Sequence, residues 1–202
     1  MQELTTSRRE QLLLFSRNFF KHPRMLGSLI PSSRFLVDRL LRQVDWRRAR
    51  VIVEYGPGVG TFTAEILRRM SPAGRLVVFE TNEEFVEFLK GGLDDPRLHV
   101  IHGSAQEVGT VLARLGCGPA DYVISGIPFS TMPEELRDSI LRATHAALRP
   151  DGRFLVYQFS GKVGPHLQKV FRQVRREFEP RNVLPAWLFD CARQKDRRLP
   201  ES

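Results

Sequence analysis

Residues Val51–Thr63 read VIVEYGPGVGTFT. Three β-branched residues, Val51, Ile52 and Val53, lead to an acid, Glu54, and Gly56, Gly58 and Gly60 follow at alternate positions. Beyond them Thr61–Met70, TFTAEILRRM, has the composition of a helix. A buried strand that feeds a glycine turn and a helix N-terminus is the phosphate- or nucleotide-cradling arrangement of doubly wound α/β proteins. Glycine there lets the backbone take positive φ and come close to a ligand. The plainer reading is a tight strand–helix connection.

Two nucleotide motifs are excluded by what is missing. A P-loop would need Gly-Lys where Thr61 and Phe62 stand. A dinucleotide fingerprint would need its third glycine at position 61, which is Thr61. Arg75–Glu80, RLVVFE, reads as the next strand and ends in Glu80, twenty residues after Gly60. From that place a carboxylate can accept both hydroxyl protons of a ribose, although a strand-end charge facing water is the simpler alternative. What remains, E-x-G-x-G-x-G, resembles motif I of class I S-adenosylmethionine-dependent methyltransferases. The resemblance implies S-adenosylmethionine as cofactor and S-adenosylhomocysteine as product. It also implies a cofactor set of Glu54, Gly56, Gly58, Gly60, Thr61, Glu80 and Thr81.

With 202 residues, 42% of them hydrophobic, the chain is expected to form one domain with a packed core. Lys+Arg 31 against Asp+Glu 23 leaves a net charge of +8, which suits an anionic partner, either nucleic acid or an acidic membrane surface. Cys117 and Cys191 form no CxxC pair, so reduced thiols and a cytoplasmic setting are expected. His22, His99, His102, His145 and His166 show no metal-ligand spacing, and no metal is expected. No apolar run approaches the roughly 20 residues of a membrane span, and no cleavable signal peptide is legible.

Along the chain, residues 3–22 set Leu12, Phe15 and Phe19 at helical spacing, with Arg8, Arg9, Arg17 and Lys21 on other faces. Such a stripe bordered by cations describes an interfacial membrane helix, or equally an amphipathic helix packed on the domain. Residues 23–44 read as a Pro/Gly connection followed by a helix, capped by Ser32 or Ser33 and continuing to about Val44. After Glu80 the sequence predicts a helix over 83–90 stopped by Gly91-Gly92, then a strand over 98–101. A further helix opens at Gly103-Ser104-Ala105, where Ser104 is either a cap or, with Ala105, part of the adenine site. A strand over 121–124, a helix over 133–148, a strand over 152–159, a helix over 165–174 and two β-rich runs parted by Pro185 complete the pattern. That alternation predicts a Rossmann-like α/β fold: a seven-stranded, mostly parallel sheet with an antiparallel last strand. Residues 194–202 are expected to fray.

Ligands of such sheets bind beyond the carboxyl ends of the strands. The fourth strand runs into Ser125-Gly126-Ile127-Pro128-Phe129, which resembles the N/D/S-x-x-P-aromatic motif of methyltransferases acting on an amino nitrogen. Methyl transfer needs a nitrogen lone pair aimed along the S–CH₃ axis. The Ser125 hydroxyl and Gly126 carbonyl could set that aim by accepting N–H bonds, and Phe129 could face the incipient cation. Ser125 also borders the cofactor. Tyr157, near the end of the fifth strand with Gln158, could accept from the amine or help deprotonate it; a structural tyrosine is the alternative.

The run FFKHPRMLGSLIPSSRFL, EYGPGVGTFT, the Ser125–Phe129 segment, YQFS and R-N-V-L-P-A together resemble bacterial phospholipid N-methyltransferases, over about Phe19 to Ala192. That resemblance implies up to three methylations of phosphatidylethanolamine to phosphatidylcholine, by a monomer bound peripherally at the inner face of the cell membrane. Ser125, Gly126 and Tyr157 would then orient the amine, and Arg34, Arg181 and Asn182 would meet the lipid phosphate. Motif I and the Pro-Phe segment also resemble ribosomal RNA adenine dimethyltransferases, so RNA methylation is the alternative. A helical RNA-binding domain after the fifth strand would favour it, and none is legible, so no nucleic acid partner is expected. A nucleoside-binding regulator without catalysis is a third reading.

Overall fold

The computed structural model describes residues 32–182 and 184–194. The expected amphipathic helix over 3–22, most of the connection after it and the tail beyond Gln194 lie outside the described residues.

Among the described residues six helices alternate with seven strands. They are α1 (Arg34–Leu41), β1 (Val51–Tyr55), α2 (Thr61–Arg69), β2 (Arg75–Glu80), α3 (Glu83–Gly92), β3 (Leu98–His102), α4 (Val108–Arg114), β4 (Ala120–Ser125), α5 (Glu134–Ala147), β5 (Leu148–Gln158), α6 (Gly164–Val170), β6 (Gln173–Glu179) and β7 (Ala186–Ala192). The sheet has the order β3-β2-β1-β4-β5-β7-β6. β1 to β5 pair in parallel, and β7 runs antiparallel to both β5 and β6. The expected seven-stranded fold with an antiparallel last strand is therefore the one observed.

Alternate residues of each buried strand serve opposite layers. Val53 and Tyr55 join Val77, Phe79, Val123, Phe154 and Val156 under α4, α5 and α6. Ile52, Leu76, Val78, Ile124 and Leu155 meet Leu36 and Leu40 of α1, Phe62 and Ile66 of α2, and Leu89 of α3. Each such side chain, taken fully from water, contributes about 1.5–3 kcal/mol.

The boundaries differ from the sequence pattern where local signals were overridden. Gly91 and Gly92 complete the last turn of α3, which ends at the Leu93 cap instead of at the glycine pair. β5 begins at Leu148, because Leu148 pairs with Ala120 ahead of a register shift, so Arg149–Asp151 are strand and not connection. α6 stops at Val170, and Gln173 and Val174 already belong to β6, where Cys191 and Ala192 pair with them. Ser33, not Ser32, caps α1 by accepting from the Leu36 N–H at 3.2 Å.

Candidate active site

The strand order reverses between β1 and β4, and α/β sheets bind ligands beyond the carboxyl ends of their strands at such a switch point. The parallel register sets Tyr55 beside Ser125, and the Gly126 N–H donates to the Tyr55 carbonyl at 3.1 Å. The glycine turn after β1 and the Ser125–Phe129 segment after β4 therefore share one rim.

Gly56, Gly58 and Gly60 have φ of 66°, 52° and 77°, all in the left-handed region that disfavours side chains. Gly60 is the N-cap of α2 and no side chain among the described residues caps that helix, so its first amide N–H groups face the turn without a side-chain acceptor among them. Glu80 closes the other wall. One of its carboxylate oxygens accepts from Thr81 and Asn82 N–H at 2.8 and 3.0 Å, and the other accepts from Gly58 N–H at 3.4 Å. Ser104 caps the short 3-10 turn Ala105–Glu107 by accepting from Gln106 N–H at 3.2 Å. Its cap role is thus observed.

Glu54 is buried and accepts a hydrogen bond from the Thr63 hydroxyl at 2.7 Å. Burial pushes its carboxyl up to about 8, opposed by the Thr63 bond and reinforced by the charge of Glu80. Nothing in the strand pattern marked Thr63 as its partner; Thr63 lies nine residues on, inside α2.

The Ser125 hydroxyl is fully buried and, among the described residues, has no hydrogen-bond partner. An orphaned buried hydroxyl costs about 1–3 kcal/mol unless a ligand or water satisfies it. Tyr157 lies directly over Gly126: a Cβ placed on Gly126 would sit 2.5 Å from Tyr157 Cζ. The Tyr157 ring stacks on Phe62, with centroids 4.9 Å apart and planes at 18°, and its hydroxyl bonds Ser32. Burial pushes the phenol up to about 12 despite the Ser32 bond. At neutral pH it is a neutral phenol, able to accept a hydrogen bond. Gln158, the other polar residue at this strand end, donates to the Ile127 carbonyl at 2.7 Å and so fastens the segment after β4 to β5.

The remaining sequence-assigned residues separate. Phe129 is fully buried, with its ring edge-on to Phe154 in the core. Asn182 accepts from Ser33 N–H at 2.8 Å and donates to the Leu184 carbonyl at 2.9 Å, so its amide braces the turn between β6 and β7. Arg181 bonds Glu179 at 3.0 Å, and its guanidinium lies 4.7 Å from the Phe35 ring centroid. Arg34 is exposed at the start of α1, with its guanidinium 5.1 Å from the same Phe35 ring centroid.

Across 189 residues the chain is 32% identical to the ornithine lipid N-methyltransferase of Singulisphaera acidiphila, covering 93% of this chain and 98% of that one. The chain belongs to the class I S-adenosylmethionine-dependent methyltransferases. Residues 20–113 match the ribosomal RNA adenine dimethylase family. A ubiquinone/menaquinone biosynthesis C-methyltransferase of Idiomarina loihiensis is 28% identical over 139 residues, and this methyltransferase spans 52% of its length. Among solved structures, PigF with S-adenosylhomocysteine superposes with a TM-score of 0.60 at 15% identity, covering 91% of this chain and 59% of PigF. A 1,6-didemethyltoxoflavin N1-methyltransferase of Burkholderia thailandensis gives 0.58 at 16% identity, over 95% of this chain and 92% of that one. At such identity these two establish the fold alone.

The donors present fit the cofactor of this family. Left-handed glycines, an uncapped helix start and a buried strand-end acid are what an amino acid joined to a nucleoside requires. We expect Glu80→Ala to weaken S-adenosylhomocysteine binding 10- to 100-fold, the worth of a charged hydrogen bond at about 1.5–3 kcal/mol. Glu80→Gln, which keeps an acceptor for the Thr81 and Asn82 amides, should lose less. Calorimetric titration measures both, and unchanged affinity in Glu80→Ala would remove Glu80 from the site.

Proposed function

We propose that this methyltransferase transfers methyl groups to the amine of a membrane lipid. Phosphatidylethanolamine is the first candidate, methylated up to three times to phosphatidylcholine, and an amine of an ornithine lipid is the second. The observation that carries the reading is the full-length similarity to the ornithine lipid N-methyltransferase, which extends well past the segment matching the ribosomal RNA family. The acceptor wall agrees with it: an unsatisfied buried hydroxyl at Ser125, the Gly126 backbone and a neutral phenol at Tyr157 are three groups able to hold an amine. The +8 charge suits an anionic membrane, at whose cytoplasmic face we place the enzyme, as a peripherally bound monomer. Among the described residues no helix is long and apolar enough to cross a membrane.

S-adenosylmethionine supplies an electrophilic methyl on sulfur. Glu54, the Gly56–Thr61 turn, Glu80, Thr81 and the Ser104-Ala105 backbone would hold it. The chain's own work at the acceptor is orientation. Ser125 Oγ and the Gly126 carbonyl accept amine N–H bonds, and the Tyr157 oxygen, pinned by Phe62 and Ser32, offers a further lone pair. With the amine so held, its lone pair would lie along the S–CH₃ axis to receive the methyl that the cofactor would supply. A lipid ammonium must shed a proton before each attack, so the rate should rise with pH through the neutral range.

Purified full-length protein with labelled S-adenosylmethionine should label phosphatidylethanolamine or ornithine lipid in vesicles, resolved by thin-layer chromatography. Labelled ribosomal RNA beside unlabelled vesicles would overturn the lipid reading.

A further inference from the structure

The large apolar side chains that remain exposed among the described residues are Phe35, Phe159, Phe178 and Leu184. They are 38–43% exposed and come from four different elements or loops, yet the topology collects them at one end of the sheet. Phe159 follows Gln158, the last residue of β5. Gln158 is paired with Trp187, and Trp187 in turn with Phe178. Leu184 lies in the turn that joins β6 to β7. Phe35 is in the first turn of α1, whose cap residue Ser33 donates its hydroxyl to the Arg181 carbonyl in that same turn, at 2.8 Å. The end so marked is the carboxyl end of the parallel strands, beside the acceptor wall.

Arginines are interleaved with these rings. The Arg176 guanidinium lies 4.6 Å from the Trp187 ring centroid, and Trp187 lies 4.9 Å from Phe178. Arg34 and Arg181 flank Phe35. The edge's acids are already neutralised: Glu177 by Arg39 and Arg42, Glu179 by Arg39 and Arg181. Arg34 and Arg176 form no ion pair among the described residues, so the exposed edge is cationic as well as aromatic. A hydrophobic cluster of this kind at the mouth of a site marks an interaction surface, and rings with adjacent cations suit the headgroup level of an acidic bilayer.

We infer that this edge, made of the β6–β7 turn, the end of β5 and the start of α1, docks on an anionic phospholipid bilayer. Phe159, Phe178, Trp187 and Leu184 enter the headgroup layer, and Arg34 and Arg176 meet lipid phosphates. The inference rests on the lipid-substrate reading and gives that reading its geometry: a lipid amine reaches Ser125 without leaving the membrane.

The test uses the full chain and vesicles of phosphatidylglycerol with phosphatidylcholine. A Phe159→Ser, Phe178→Ser, Leu184→Ser, Arg176→Gln variant should lose at least tenfold in vesicle affinity by sedimentation. Its S-adenosylhomocysteine affinity and unfolding midpoint should stay at the parent values. In a Trp46→Phe background, Trp187 emission should shift to the blue on vesicles and be quenched by bromine-bearing lipid. The quenching reads the edge itself, whatever other segment also holds the membrane. Unquenched Trp187 on bound vesicles overturns the proposal, as does RNA retention that falls in the multiple variant while vesicle binding does not. In vesicles that also carry phosphatidylethanolamine or an ornithine lipid, quenching without methylation of either lipid would end the substrate reading and leave the docking edge standing. Lipid methylation with Trp187 unquenched would do the reverse.

Discussion

Gly126→Ala should bind S-adenosylhomocysteine like the parent enzyme and turn over at least about a hundredfold more slowly. The added Cβ would lie 2.5 Å from Tyr157 Cζ, closer than side chains tolerate, and would also run into the Tyr157 hydroxyl. Tyr157 has little room to retreat, because its ring is stacked on Phe62 and its hydroxyl is bonded to Ser32. The methyl group must therefore displace either the phenol or the Gly126 backbone, and both belong to the proposed acceptor wall. Misplacing an orienting group by about 1 Å costs on the order of 10²-fold in rate. Gly126 has ordinary negative φ, unlike the motif I glycines, so the substitution carries no backbone strain to confuse the result. Tyr157→Phe, which keeps the ring and removes the hydroxyl, should show a smaller fall. Steady-state rates with labelled cofactor, beside calorimetric affinity for S-adenosylhomocysteine, separate the two effects. An unaltered kcat in Gly126→Ala would place the acceptor amine elsewhere.

Cofactor binding at pH 7 should expel close to one proton, and it should come from Glu54. With its carboxyl pushed up to about 8, Glu54 is largely protonated in the free protein at that pH. The cofactor's amino group is cationic, and a cation brought beside this acid favours the carboxylate. Affinity should therefore rise with pH between about 6 and 8, by up to tenfold per unit. Stability moves in the opposite direction. Between the ordinary value of 4.5 and about 8, the folded chain holds a proton that the unfolded chain has released. The free protein accordingly loses stability as pH rises through that window, by about 1.4 kcal/mol per unit at most, and is unaffected by this group below it. Glu54→Gln should flatten both dependences. Titrations in buffers of different ionisation enthalpy count the proton directly, and the same count for parent and Glu54→Gln would clear Glu54 of the role.

Much of the binding half was written locally. Gly56, Gly58 and Gly60 follow a buried β-branched run, and Glu80 closes the next one; strand, turn and acid are recognised within windows of a few residues. Turn chemistry and periodicity depend on near neighbours, so the α/β alternation and the antiparallel last strand were legible too. The errors fell where a neighbour distant in the chain outvoted a local signal. Pairing with Ala120 extended β5 back to Leu148, and pairing with Cys191 and Ala192 turned Gln173 and Val174 from helix to strand.

The acceptor wall was less legible, because its members are brought together only by the sheet order. Ser125 and Gly126 stand beside Tyr55 through the β1–β4 pairing across 70 residues of chain. Ser32 meets Tyr157, and Asn182 reaches Ser33, over still longer separations. The sequence by itself determined the glycine turn, the acid that ends the next strand and the alternating elements that carry them. Only the tertiary structure decided that Phe129 enters the core, that Tyr157 covers Gly126, and that four exposed apolar residues share one arginine-lined edge. Local propensity sets what each segment forms. Which side chains then meet depends on strand order and register, and these are selected by burying both faces of the whole sheet at once.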